Sequence, residues 1–250
     1  MLSPESMERY SRNILLKGIG LAGQEKLLSS AVLLVGAGGL GSPAAYYLAA
    51  AGVGRIGLLD GDTVSLSNLQ RQILHGTKDL GRPKAESGRD KLLGIDPRLN
   101  IEAIAGRLTK ENAEDIVSRF DIVLDCTDNF NSRFILNDAC LGLNRPFVYG
   151  GVLEFTGQLM TIVPGKGPCF RCLYRNEPRI GTPGTPELGI LGAVAGIIGT
   201  LQACEAIKYI TGIGGLLIGR LLTYDSLTAS FIDAQLERDP SCPSCSIKNF

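Results

Sequence analysis

The residues of this chain that could do chemistry fall into two sets. The first begins with VGAGGLGS, which places Gly36, Gly38 and Gly41 in a G-x-G-x-x-G spacing between an apolar run and a helix-like segment. Glycines there allow a tight turn and a close approach of backbone to phosphate, at the positive end of the following helix. Asp60 ends the next apolar run, RIGLLD, where a ribose-binding carboxylate belongs. The chain continues as GDTVSLSNLQRQ and supplies Asn68 and Arg71. Lys84 follows in GRPK, and DCTDN adds Asp125, Asp128 and Asn129. A glycine turn with one acid suits NAD as readily as ATP. Two cations with further carboxylates suit ATP better, because a triphosphate needs Arg and Lys donors and its Mg2+ needs a hard oxygen ligand such as Asp128.

The second set is sulfur. Cys169 and Cys172 in GPCFRCL, with Cys242 and Cys245 in PSCPSCS, form two C-x-x-C pairs. Each pair lets two sulfurs from one tight turn reach one ion, and two pairs complete a tetrahedron, so a closed structural Zn2+ site is expected. It would tie the C-terminal tail to the middle of the chain. Paired disulfides or a redox C-x-x-C are the alternatives, disfavoured by a reducing compartment and by the second pair. Cys126, Cys140 and Cys204 lie in apolar contexts and read as buried core thiols.

These groups can meet only if the elements carrying them lie side by side. Two short helices are expected in residues 1–30. From Ala31 the pattern alternates strand and helix: AVLLV, LGSPAAYYLAAAG, RIGLLD, GRPKAESGRDKLLGI, NIEAIAG, KENAEDIVSRF, DIVLDCTD, NSRFILNDACLGL and PFVYGG. AVLLV is an uninterrupted apolar run, as expected of a strand covered on both faces. FTGQLMTIVPG follows PFVYGG too closely for a helical crossover, so those strands should pair antiparallel. GRLLTYDSL and ASFIDAQLE read as two further strands. The predicted fold class is α/β and Rossmann-like, with a mostly parallel central sheet, antiparallel C-terminal strands, helices on both faces and a structural zinc site. One domain over 1–250 is expected: a helical arm at 1–30, a nucleotide-binding half at 31–150, and 151–250 with the antiparallel strands, zinc site and crossover loop.

Lys plus Arg and Asp plus Glu stand at 25 each, so no bulk charge draws the chain to nucleic acid or to an anionic membrane. The N-terminal segment does not read as a signal peptide. The run from Leu188 to Cys204 contains Gly192-x-x-x-Gly196, yet its charged flank favours a packed helix, starting at Gly189, over a membrane span. A cytoplasmic protein is expected.

RYSRNILL, VGAGGLGSP, LLDGDTVSLSNLQRQ, GRPKAES, LDCTDNFNSRFILND and GTLQACEAIKYITG together resemble the MoeB/ThiF/HesA family of ubiquitin-like-protein activators. The resemblance runs through essentially the whole chain. It implies a homodimer that adenylates the C-terminal glycine of a small β-grasp sulfur-carrier protein ending in Gly-Gly. It further implies that Gly39 and its neighbours line the nucleotide, that Asp60 holds the ribose, and that Asn68, Arg71 and Lys84 contact the phosphates. Asp128 would hold Mg2+, and Arg12 would reach into the other subunit's site.

One feature departs from the family. Relatives often carry a cysteine in the loop before the small-residue helix, and here the matching position is Thr185, with no cysteine between Cys172 and Cys204. A hydroxyl is a far weaker nucleophile than a thiolate, so no thioester step is expected. The alternatives are a zinc-stabilised NAD-dependent oxidoreductase, a non-catalytic carrier-binding scaffold, and a variant that activates a short peptide.

Overall fold

The computed structural model describes residues 2–178 and 188–246. The N-terminal arm holds three short helices, α1 (Pro4–Arg9), α2 (Ser11–Ile14) and α3 (Gly20–Ser29), rather than two. Strand–helix alternation follows, with β1 (Ala31–Val35), α4 (Gly41–Ala51), β2 (Arg55–Asp60), α5 (Lys84–Leu93), β3 (Asn100–Ala105), α6 (Ala113–Ser118), β4 (Ile122–Asp125), α7 (Phe130–Gly142) and β5 (Phe147–Leu153). The remainder is β6 (Thr156–Ile162), α8 (Phe170–Leu173), α9 (Gly192–Thr211), β7 (Arg220–Asp225) and β8 (Ser230–Gln235).

All eight strands join one sheet in the order β3-β2-β1-β4-β5-β6-β7-β8. The first five are parallel and the last three run antiparallel to their neighbours, as the short β5–β6 connection demanded. The predicted α/β, Rossmann-like class is therefore observed. In β1, Val32 and Leu34 pack into one core and Leu33 and Val35 into the other, on opposite faces of the sheet. The first core is closed by α4, α5 and α9, and the second by α6, α7 and α8. That is why an unbroken apolar run, not an alternating one, makes a central strand here.

Two expectations are corrected. The small-residue helix begins at Gly192, not Gly189, because Ile190 is drawn out of helical register by a bridge to Glu154. Cys204 is not a core thiol: it is exposed on α9, whereas Cys126 and Cys140 are buried as expected. The α9 helix is long and apolar enough to cross a membrane by length and composition. Here it packs against α4, β5 and β6 within the fold. Its buried Gln202 donates to the carbonyls of Asp125 (2.7 Å) and Val148 (3.0 Å), binding the end of β4 to the start of β5.

Candidate functional site

The strand order places a crevice where the candidate residues can meet. From β1 the chain winds outward through β2 and β3, then returns to add β4 on β1's other side. Loops leaving the carboxyl ends of β1 and β4 therefore part in opposite directions, which opens a ligand crevice at that point.

The glycine loop leaves β1 there. Gly36 takes φ +104°, a left-handed conformation, and a Cβ on it would lie 2.5 Å from the Cys126 carbonyl oxygen. A Cβ on Gly41, the first residue of α4, would lie 2.0 Å from the carbonyl oxygen of Gly36. The turn is thus too tight for side chains at those two positions. Gly38 and Gly39 face the segment that follows β2. A Cβ on Gly39 would meet the Arg71 side chain at 3.5 Å, and one on Gly38 would meet Gln72 at 3.5 Å.

Asp60, at the end of β2, accepts from the amides of Ala37 and Asp62, each at 2.8 Å. Its carboxylate is thereby fixed against the glycine loop. Asn68 accepts from the Ser65 amide at 3.4 Å and shapes a turn that presents Arg71, whose guanidinium donates to the Ser67 carbonyl at 3.2 Å. The backbone of this segment crosses the N-terminus of α9, where a Cβ on Gly192 would fall 2.7 Å from the Gln70 carbonyl oxygen. Arg71 thus sits between two helix starts, those of α4 and α9.

Lys84 opens α5, and its backbone amide donates to the Asp62 carbonyl at 2.9 Å. Its buried side chain donates to the Asp62 carboxylate at 3.2 Å, while Arg107 donates to the other Asp62 oxygen at 3.2 Å. Burial works to raise the Asp62 carboxyl, and Lys84 with Arg107 overcomes it, holding that acid below the usual carboxylate range.

Beyond β4 the acids diverge. Asp125 points inward, is fully buried, and accepts from the Thr127 hydroxyl at 2.7 Å. Burial pushes its carboxyl up, against the pull of Arg133. Asp128 is exposed on the loop that leaves β4, and Asn129 donates to it at 3.3 Å. Asn129 also caps α7, accepting from the Ser132 amide at 2.9 Å. Arg12 is exposed on α2 and makes no hydrogen bond to a crevice residue among those described. Thr185 lies outside the described residues.

Away from the crevice, Cys169, Cys172, Cys242 and Cys245 converge, with all four sulfurs within 4.8 Å of one another. The separations of 3.6 Å for Cys169–Cys242, 3.9 Å for Cys169–Cys172 and 3.4 Å for Cys172–Cys245 are too long for disulfides. They bracket the spacing of about 3.8 Å expected of thiolates at tetrahedral zinc distances. The donor set therefore fits zinc.

Sequence reasoning missed Asp62, Gln72 and His75. Asp62 stands two residues beyond Asp60 but reads as an ordinary turn acid. Gln72 and His75 carry no local signal, since only the fold brings them under the glycine loop.

The ThiF family profile matches residues 10–244. The chain is 43% identical, over 96% of its length and 91% of the relative's, to a sulfur carrier protein adenylyltransferase of Thermus thermophilus. It is 44% identical, over 98% of its length and 90% of the relative's, to a SAMP-activating enzyme of Haloferax volcanii. It also resembles a solved structure of E. coli MccB with ATP, at 26% identity and a TM-score of 0.84, covering 95% of this chain and 74% of that one.

Proposed function

The chain belongs to the ThiF family and is an adenylyltransferase of the MoeB/ThiF type, and from that premise we propose that it activates a small ubiquitin-like sulfur-carrier protein with ATP. The observation that supports this reading is the geometry at the strand-order switch: Asp60 is fixed against the glycine loop, Arg71 lies beside Gly39, and Lys84 is paired with Asp62, while Asp128 stands exposed on the loop that leaves β4. A nicotinamide cofactor would leave Arg71, Lys84 and Asp128 without a task.

The carrier's C-terminal carboxylate attacks the α-phosphorus of ATP. A new carboxyl–phosphorus bond forms, the bond to the β-phosphate breaks, and pyrophosphate leaves with the electron pair. No general base is required, since the attacking carboxylate is ionised at neutral pH. The barrier lies in bringing two anions together and in charge accumulating on the leaving pyrophosphate. The amides of the glycine loop and the α4 N-terminus receive phosphate oxygens. Asp60 takes the ribose hydroxyls. Asn68, Arg71 and Lys84 hold the phosphates, Lys84 exchanging its Asp62 contact for a phosphate oxygen. Asp128, which is exposed and accepts a hydrogen bond from Asn129, would hold Mg2+, which when bound neutralises phosphate charge.

The four-cysteine cluster would hold one structural zinc ion, with no coordination position left open. The three remaining cysteines are poorly placed for covalent catalysis. Burial pushes the thiols of Cys126 and Cys140 well up, away from thiolate formation, and partial desolvation on α9 raises that of the otherwise exposed Cys204. With Thr185 in place of a cysteine in the sequence, the reaction would stop at the acyl-adenylate. A second copy packed on the apolar face formed by Pro43, Tyr47, Ile197 and Leu201 would make a homodimer and carry Arg12 toward the partner's crevice.

The decisive experiment incubates the purified chain with ATP, Mg2+ and a β-grasp carrier ending in Gly-Gly. Carrier-dependent pyrophosphate exchange is expected, and it should vanish when the final glycine is removed. Exchange that ignores the carrier's terminus would overturn the reading. If short peptides serve instead, the peptide-activating alternative holds.

A further inference from the structure

Ala37 is held from both sides. Its amide donates to Asp60 at 2.8 Å, and its carbonyl lies 2.9 Å from Nε2 of His75, the single histidine of the chain. The other ring nitrogen, Nδ1, is 3.0 Å from the Ser87 hydroxyl. A carbonyl oxygen can only accept, so Nε2 carries the proton, and Nδ1 then accepts from Ser87. The ring is buried, with both nitrogens engaged on different elements: the glycine loop on one side and α5 on the other.

We propose that His75 is a positioning residue for the nucleotide: as a neutral Nε2–H imidazole it fixes the Ala37 peptide and, through it, the phosphate-facing amides of the glycine loop. The inference rests on the crevice binding ATP and goes beyond that reading by assigning a role to a residue that never touches the nucleotide. A loop with no side chains at 36, 38, 39 and 41 can pack only through Ala37 and Leu40, both buried in the core, and its phosphate-facing peptides depend on hydrogen bonds for their orientation. Asp60 restrains it at one point, but Asp60 is also needed by the ribose. Besides the Gly36 amide bond to the Leu59 carbonyl and the Ser42 hydroxyl bond to the Gly38 carbonyl, His75 supplies a restraint on Ala37 itself from a buried side chain. Burial favours the neutral ring and draws its pKa below the usual imidazole value, with the Ala37 carbonyl and the more distant Asp60 and Asp79 opposing and Lys84 assisting. A neutral ring keeps Nδ1 free to accept from Ser87, so the tautomer is locked by two partners at once.

Two measurements test this. Long-range nitrogen–proton NMR of the wild-type chain reads the tautomer of its one histidine without any ligand. The Nε2–H form is expected, and the Nδ1–H form overturns the proposal. Calorimetry with ATP and Mg2+ then compares wild type, His75→Phe and His75→Gln. The Phe variant removes the donor and should bind about tenfold more weakly, the effect of one lost hydrogen bond. The Gln variant, whose amide can donate to Ala37, should recover most of that loss. Wild-type affinity in His75→Phe, or equal weakening in His75→Gln, overturns the proposal. If His75→Phe does not fold, the tautomer and the Gln variant decide. A wild-type chain that binds no ATP while showing the Nε2–H tautomer would sink the nucleotide reading and, with it, this role, while leaving the hydrogen bond itself intact.

Discussion

Lys84 Nζ and Asp62 Oδ2 stand 3.2 Å apart, the lysine side chain 7% exposed and the acid 54%. The cation is therefore inside the crevice, steadied by an acid that reaches in from solvent. Replacing Lys84 with Met should lower carrier-dependent pyrophosphate exchange by about 10²- to 10³-fold, the cost of one well-placed donor in a charge-stabilising site. Asp62→Ala should act on stability instead, lowering it by on the order of 1 kcal/mol in urea titration, since half of this pair is solvent-screened.

Among the described residues the Arg71 guanidinium makes one hydrogen bond, to the Ser67 carbonyl, so its removal should leave the fold intact. Arg71→Ala is expected to lose about 10²- to 10³-fold in the same exchange assay with little change in thermal midpoint. Unchanged exchange would remove Arg71 from the phosphate site.

Chelation offers an independent check on the sulfur cluster. Purified protein should contain about one zinc per chain, and a strong chelator should lower the thermal midpoint. Cys242→Ser should do the same without added chelator, because one lost thiolate opens a closed tetrahedron.

Two buried groups contribute to the acid limit of stability in separable pH windows. Burial works to raise the Asp79 carboxyl, but Lys91, the Gly76 amide and Arg82 hold it down at about 2. A depressed carboxyl contributes stability above its unfolded pKa and loses it as pH falls toward the folded one, here between the ordinary value of 3.8 and about 2. His75 acts earlier. The unfolded chain takes a proton near pH 6.5 that the folded chain resists, so stability should begin to decline below that pH. Urea midpoints measured down the pH scale should show both limbs. His75→Gln should remove the first, and Asp79→Asn should shrink the second, to which the depressed carboxyl of Asp96 also contributes.

Gly41→Ala should be the most damaging small substitution in the loop. Its Cβ would press against the backbone carbonyl of Gly36, which cannot turn aside as a flexible side chain could. Loss of ATP binding in calorimetry is expected together with a lowered thermal midpoint. Gly38→Ala, which would meet only Gln72 at 3.5 Å, should be mild in stability.

The order of elements was legible because the physics behind it is local. AVLLV is too apolar to have a wet face, and the β5–β6 connection is too short for anything but an antiparallel return. The glycine spacing, Asp60 and the paired cysteines were legible for the same reason: each needs only a few neighbours along the chain. What escaped was set by distant packing. Cys204 sits in an apolar stretch of sequence, yet α9 turns that position outward. Asp125 and Asp128 look equivalent in DCTDN, but the strand's last residue points into the core and the loop residue does not. His75 and Asp62 acquire their roles only when the loop after β2 folds back beneath the glycine turn.

The cysteine cluster does not stand apart from the crevice. Phe170, next to Cys169, donates its amide to Asn137 of α7 at 3.0 Å, and Ser244, between Cys242 and Cys245, donates to Asp138 of the same helix at 2.7 Å. Asn129 caps that helix and adjoins Asp128. Damage to the sulfurs would thus travel along α7 as a loosened foundation. Oxidants that spare every nucleotide-facing residue would still blunt the enzyme's grip, turning a remote fastening into its point of chemical vulnerability.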